Sequence, residues 1–368
     1  MKNLNRLAGS TIAVAGLLAI VTASVARAEA TYQVLKTTQT MGTGGVDYVY
    51  ADNDARRLYV PRGNQILTFD LDTLAPGGSI TNARAHGVAV DPKSGHGFCS
   101  SSPVVMWDTK TLETIKTINV EGRPDGISYE PLTERIYVFS HSAPNATVID
   151  AKDGSIVGTI DLGGAPEQAQ SDGQGHLYVD LEDQDSIAVV DVNTLKVTTH
   201  YSLAGKGGGP GGLGLDAKNH ILFAMCHEPA VCVILSADDG KILDTLPIGT
   251  GTDDGGFNPA TSEAFSSQGD GTLTIIQEKS PTSFAVEQTV TTKSRAKTCT
   301  LDTKNNRIIL ITVERVPAAG TSATAAVAGQ AGNGQPGQPG QAGQPGGRRG
   351  GGRNNGPGLL DILVVGRP

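Results

Sequence analysis

Residues 123–131 read RPDGISYEP, and residues 84–92 read RAHGVAVDP. The two phrases share a frame closed by an acid and a proline, and Asp125 in one stands where His86 stands in the other. Self-similarity at a fixed period decides a fold before local propensity does. Taking the acidic or amide residue that closes the frame as an anchor, the frame recurs seven times, at Asp52, Asp91, Glu130, Asp172, Asp216, Asn258 and Asp302. The spacings are 39, 39, 42, 44, 42 and 44 residues.

Each period carries the same four apolar runs. The frame itself is the first. Seven residues past the anchor comes an aromatic in five copies (Tyr59, Phe98, Tyr137, Phe223 and Phe265), inside runs such as RLYV and RIYV; the fourth copy has Tyr178 after six, and the seventh has Ile309. Aromatic and β-branched residues of this kind suit a pleated, half-buried surface. A third run (ILTFD, VVMWD, TVID, IAVVD) leads into a turn such as AKDG or ADDG, and a fourth (ETIKTINV, SIVGTIDL, KILDTLPI) closes the unit. Four short antiparallel strands per period of about 40 residues describe one blade of a β-propeller. Seven copies predict an all-β, seven-bladed ring in which each blade covers the face of the next.

The last copy lacks its fourth strand, because LLDILVVG (359–366) runs almost to the end of the sequence at Pro368. The missing run lies at the other end, where YQVLKTTQTMG (32–42) matches ETIKTINVEG and precedes the first frame. The N-terminal strand is therefore expected to form the outer edge of the seventh blade and close the ring. Within that blade, residues 317–358 are rich in Gly, Pro and Gln without a strict triplet period, which predicts a disordered insertion. The propeller domain is thus expected to comprise 31–316 and 359–368.

Lys2 and Arg6, the apolar run TIAVAGLLAIVTASV (11–25) and the small residues flanking Arg27 have the layout of a cleaved secretory signal spanning 1–28, with Ala30 as an alternative cleavage point. The reading is a periplasmic or secreted protein with no transmembrane segment in its mature chain. Losing Lys2, Arg6 and Arg27 takes the formal charge from −8 to −11. A body this acidic repels phosphate backbones, which argues against a nucleic-acid partner. The cluster Arg348, Arg349 and Arg353 reads as a solvated tail.

The frame followed by LYV or IYV, then VID and DG, resembles the YVTN-type repeats of YncE-like β-propeller proteins, and ILVVG near the end is similar to their closing strand. The resemblance covers 31–316 and 359–368. It implies an exported seven-bladed propeller and carries no shared catalytic motif. A WD-type repeat fits less well, since Trp107-Asp108 is not repeated in the other copies.

Five residues before each anchor the chain reads Asp47, His86, Asp125, Glu167, Gly211, Asp253 and Lys297. In a propeller the first strand of each blade lines the central channel, so this variable position is expected to face the channel near one mouth. Copies five to seven have drifted furthest from the frame, and a one-residue slip there would turn Gly211 or Asp253 off the channel. Such a ring suits a hard divalent cation, or a cationic or hydrogen-bonding organic ligand. Crowded carboxylates also raise one another's pKa, as general acid–base catalysis requires. The plain alternative is a solvated polar channel with its own ion pairs.

Four cysteines in an exported chain invite disulfides, and Cys226 and Cys232 flank HEPAV in a tight hairpin, which predicts a bridge between them. Cys99 and Cys299 fall in blades that are not neighbours and are expected to be free and buried. GGGPGG (207–212) satisfies a dinucleotide-binding pattern only on paper, since no βαβ unit surrounds it.

Three functions follow. The first is a monomeric, non-enzymatic binding scaffold that holds a protein or small ligand at the channel mouth or on a face, with no cofactor. The second is a metal-assisted hydrolase such as a lactonase, working through the channel carboxylates. The third is a quinone-cofactor dehydrogenase, ranked last because a single Trp offers little stacking surface.

Overall fold

The protein is described from a computed structural model that covers residues 30–315 and 357–368. The expected signal segment 1–28 lies outside the described residues. So does the expected insertion 317–358, except that Pro357 and Gly358 already belong to a strand, Pro357–Gly366.

Among the described residues, 28 strands form seven antiparallel sheets of four, arranged as the repeat count predicts. Blade three is representative, with strands Pro124–Glu130, Arg135–Ser140, Ala146–Asp150 and Ile156–Ile160. No described helix is long and apolar enough to cross a membrane.

The anchors owe their recurrence to the turn between first and second strands. The Glu130 carboxylate accepts hydrogen bonds from the backbone N–H groups of Leu132 and Thr133, both at 2.8 Å. Asp91 and Asp216 do the same for Lys93 and Lys218, each at 2.9 Å. Four residues past the anchor the backbone turns left-handed, at Arg56, Gly95, Glu134, His220, Ser262 and Asn306. A short side chain that caps its own turn, followed by a positive φ, is what a tight hairpin of this type requires. The fourth copy makes its turn one residue shorter, with Gly175 at φ 131° three residues after Asp172. That deletion is why Tyr178 follows its anchor by six residues.

Side chains in the second strands alternate between neighbouring blades. Ile136 and Val138 pack toward blade two, with Phe98 and Val104, whereas Tyr137 and Phe139 pack toward blade four, with Leu177 and Val179. Seven such clusters fill the seven spaces between sheets, including one between blade one and blade seven (Leu58, Phe69, Ile309, Ile362). Each fully buried Leu, Ile or Phe contributes about 1.5–3 kcal/mol through removal of apolar surface from water. No blade buries both faces alone, so the stability of each sheet belongs to the ring.

The ring closes where expected. The N-terminal strand, Gln33–Thr43, pairs antiparallel with Pro357–Gly366 through ten register partners from Gln33↔Gly366 to Thr43↔Pro357. Tyr32, just before it, is buried against blade six: its hydroxyl donates to Glu263 at 2.6 Å, and its backbone N–H donates to the Gln288 side chain at 2.8 Å. Arg62 of blade one, also buried, donates to the carbonyls of Thr40 at 3.0 Å and Gly358 at 2.7 Å.

The Cys226–Cys232 disulfide is corrected. Both thiols are free and buried, as are Cys99 and Cys299. Hairpin register explains why: Cys232 is paired with Met225, so it shares a face with Met225, and Cys226, one residue on, points the other way. Cys226 lies in the core between blades four and five, and Cys232 in the core between blades five and six. With a side-chain period of two, an odd offset across the register puts two residues on opposite faces.

Candidate functional site

In blades three to six the variable position of the frame falls at an irregularity in the first strand, and in blades one, two and seven (Asp47, His86 and Lys297) it lies just before that strand begins. Pairing between first and second strands skips between Pro124 and Ile127 in blade three, Pro166 and Ala169 in blade four, Pro210 and Gly212 in blade five, and Thr252 and Asp254 in blade six. The residues bypassed include Asp125, Glu167, Gly211 and Asp253. A bulge re-aims the side chain of the residue it leaves unpaired. Despite sequence drift, Asp253 therefore sits at the same structural position as Asp125.

The side chains meet around one mouth. His86 Nδ1 lies 2.7 Å from Asp47 Oδ2 and 2.9 Å from Asp125 Oδ1. Asp125 Oδ2 is 3.9 Å from His141 Nε2, which lies 3.2 Å from Glu167 Oε1. Tyr48 of blade one donates its hydroxyl to Glu167 Oε2 at 2.9 Å. On the other side, Lys297 pairs with Asp253, and His227 Nε2 is 4.0 Å from Glu182 Oε1. The order Asp47, His86, Asp125, His141, Glu167, Glu182, His227, Asp253, Lys297 alternates acid and base with one exception. Ion pairs within the ring, the plain alternative of the sequence reading, are thus present. Gly211 supplies no side chain, and His227 occupies its place: a Cβ added at Gly211 would stand 2.7 Å from His227 Nε2.

Three of these residues, His141, Glu182 and His227, were not among the sequence candidates. They share a second repeat position, eleven residues past the anchor, or ten in the shortened fourth copy, where the other copies have Gly63, Ser102, Gly269 and Val313. The second strand runs back toward the end at which the first began, so the residue just beyond it returns to the mouth. Comparing the copies at that offset would have found them.

Beneath the mouth is a cavity of about 350 Å³ lined by the first strands of six blades, including Tyr50, Tyr129, Gln168, Gln170, Asp254 and Phe257. Asp180, fully buried on the second strand of blade four, accepts the backbone N–H of Gln168 and so props the irregularity that presents Glu167.

Burial sets the charge states. It pushes the Asp254 carboxyl up to about 8 and Asp180 well above the usual carboxylate range. Glu167 and Asp253 rise for the same first reason, opposed by His141 and Lys297 respectively. For His86 burial acts downward, yet hydrogen bonds to Asp125 and Asp47 outweigh it and raise the imidazole to about 9. His141 reaches about 9 chiefly through Glu167. Both imidazoles are therefore cationic at neutral pH.

A carboxyl whose folded value lies above its free value holds its proton more tightly in the folded protein. The stability it contributes is complete below the free value and is lost as pH rises through the folded one. For Asp254 that window runs from its ordinary value of 3.8 to about 8. The wild type should therefore melt lower at about pH 8.5 than at about pH 5.5, and Asp254→Asn should narrow the difference, each such group contributing at most about 1.4 kcal/mol per pH unit. Melting curves across that range check it; an unchanged difference in the variant would show Asp254 already ionised.

No protein-family model matches the sequence, and no curated protein matches it. Among solved structures, the chain is similar to a component of a crystal structure of the mitotic checkpoint complex (TM-score 0.67, 11% identity, covering 82% of this chain and 95% of that one). It is also similar to the RRP9 WD40 repeats (0.66, 10% identity, 92% and 99%) and to U3-55K (0.65, 9% identity, 90% and 98%). At these identities the likeness establishes the seven-bladed propeller fold and no activity.

Proposed function

We propose that this protein is an exported, non-enzymatic binding scaffold of the YncE-like type that holds a cationic or hydrogen-bonding ligand, small or on a protein surface, at the acidic mouth of its channel. The observation that carries this reading is convergence: the beginnings of the first strands and the ends of the second strands of different blades bring nine charged or imidazole side chains to one end of a cavity. Export rests on the signal-like layout of residues 1–28, and the family on the LYV, VID and DG repeat pattern. A rigid ring with one chemically variable position per blade is suited to recognition, because the frame holds the backbone while the ring side chains vary.

Co-purification from the native host tests it. Wild-type protein should retain a ligand or partner that Asp47→Asn with Asp125→Asn loses, and the wild type should turn over none of a panel of lactones and esters. Identical capture by both proteins would remove the mouth as the binding site. Turnover abolished by the same substitutions would favour the second reading, a metal-assisted hydrolase, for which the mixed imidazole and carboxylate set is the specific support.

A further inference from the structure

The mouth contains two three-residue sets, Asp47–His86–Asp125 and Asp125–His141–Glu167, whose ligand-type atoms lie within 4.8 Å of one another in each set. They share Asp125, and they use different oxygens of it: Oδ1 faces His86 at 2.9 Å, and Oδ2 faces His141 at 3.9 Å. We propose that the mouth binds two divalent transition cations of the zinc or manganese class, bridged by the Asp125 carboxylate. This rests on the reading above in placing the ligand at the mouth, and it names what sits there.

Three observations support it. First, a cation bonded at about 2.0–2.1 Å sets its neighbouring ligand atoms roughly 3 Å apart. The spacings of 2.7 and 2.9 Å around His86 Nδ1, and 3.2 Å between His141 Nε2 and Glu167 Oε1, are ion-pair distances in the metal-free protein that fit such edges once a cation displaces the imidazole protons, while the 3.9 Å between Asp125 Oδ2 and His141 Nε2 has to close. Second, His141 Nε2 is buried yet makes no hydrogen bond of acceptable direction, although Glu167 Oε1 is close. Third, each set combines one imidazole nitrogen with two carboxylates, which suits a borderline transition metal; calcium and magnesium prefer oxygen alone. A carboxylate giving one oxygen to each ion is consistent with paired metals about 3.5–4 Å apart. Tyr48, which holds the far oxygen of Glu167 at 2.9 Å, acts as a positioning residue for the second ion.

Chelator-stripped protein titrated calorimetrically with zinc, manganese, calcium and magnesium tests this. The wild type should bind two zinc or manganese ions and show far weaker heats with calcium and magnesium. His86→Gln and His141→Gln should each leave one ion bound, and Asp125→Asn should weaken both. Tyr48→Phe should lower the affinity of the second ion about 10-fold or more while leaving the first unchanged. Circular dichroism of every variant controls for folding. Absence of zinc and manganese binding, a stoichiometry of one in the wild type, or two ions bound equally by wild type and Asp125→Asn would each overturn the bridged pair. Metal binding that fails while the host ligand is still captured sinks this inference alone; capture that is independent of the mouth sinks the functional reading and leaves the calorimetry to stand by itself.

Discussion

Removing residues 31–42 should lower the melting temperature of the whole propeller by roughly 15 °C or more, or abolish cooperative melting altogether. The deletion takes nearly all of the strand that supplies the ten register partners of Pro357–Gly366. At about 0.5–1.5 kcal/mol net per hydrogen bond, the loss is several kcal/mol, against a total stability of about 5–15 kcal/mol for a folded domain. It also removes Tyr32, over whose ring the Arg367 guanidinium lies at 4.3 Å, and strips the Thr40 carbonyl from buried Arg62. The exposed DILVV edge would then be free to pair with other chains, so aggregation should accompany the loss. Thermal melts followed by circular dichroism, with light scattering, check this. A truncated protein that melts with its parent would show that the chain ends do not close the ring.

Trp107→Ala should cost about 3–5 kcal/mol, the range for emptying a buried aromatic site. The single tryptophan is fully buried between blades one and two, with its ring centroid 5.9 Å from that of Tyr59. Its room comes from Gly97, its cross-strand partner, where a Cβ would stand 2.3 Å from the indole. Other blades carry Leu58, Ile136, Leu177, Leu222, Ala264 and Ile308 at that repeat position. The two residues are thus one packing unit, and their substitutions should not add. Gly97→Ala should destabilise the wild type sharply, yet be neutral or favourable beside Trp107→Leu. Denaturant melts of the four proteins give the coupling; additive effects would mean that the space is not shared.

Most of the architecture was legible because each frame contains its own turn chemistry. An anchor that caps a turn, a left-handed residue four later and an aromatic on the next strand recur together, so seven copies fix seven hairpins. Asp47, His86, Asp125, Glu167, Asp253 and Lys297 could be aligned for the same reason. His141, Glu182 and His227 escaped notice because the repeat has no fixed residue just past its second strand, and alignment by frame alone does not look there. The cysteine pairing failed on a different point: sequence proximity across HEPAV suggests contact, but cross-strand register decides which face each thiol takes. Asp180 is another burial that composition hides, since HLYVDL looks like an ordinary strand and only the fold encloses its carboxyl.

Arg315 and Gly358 are direct partners across the hairpin between the second and third strands of blade seven. In every blade that hairpin rises at the end where His141 and His227 emerge, so Arg315 and Gly358 stand on the same rim as the side chains of the mouth. The opposite side of the propeller, where the anchor turns lie, accordingly offers a surface for immobilisation that leaves that rim clear.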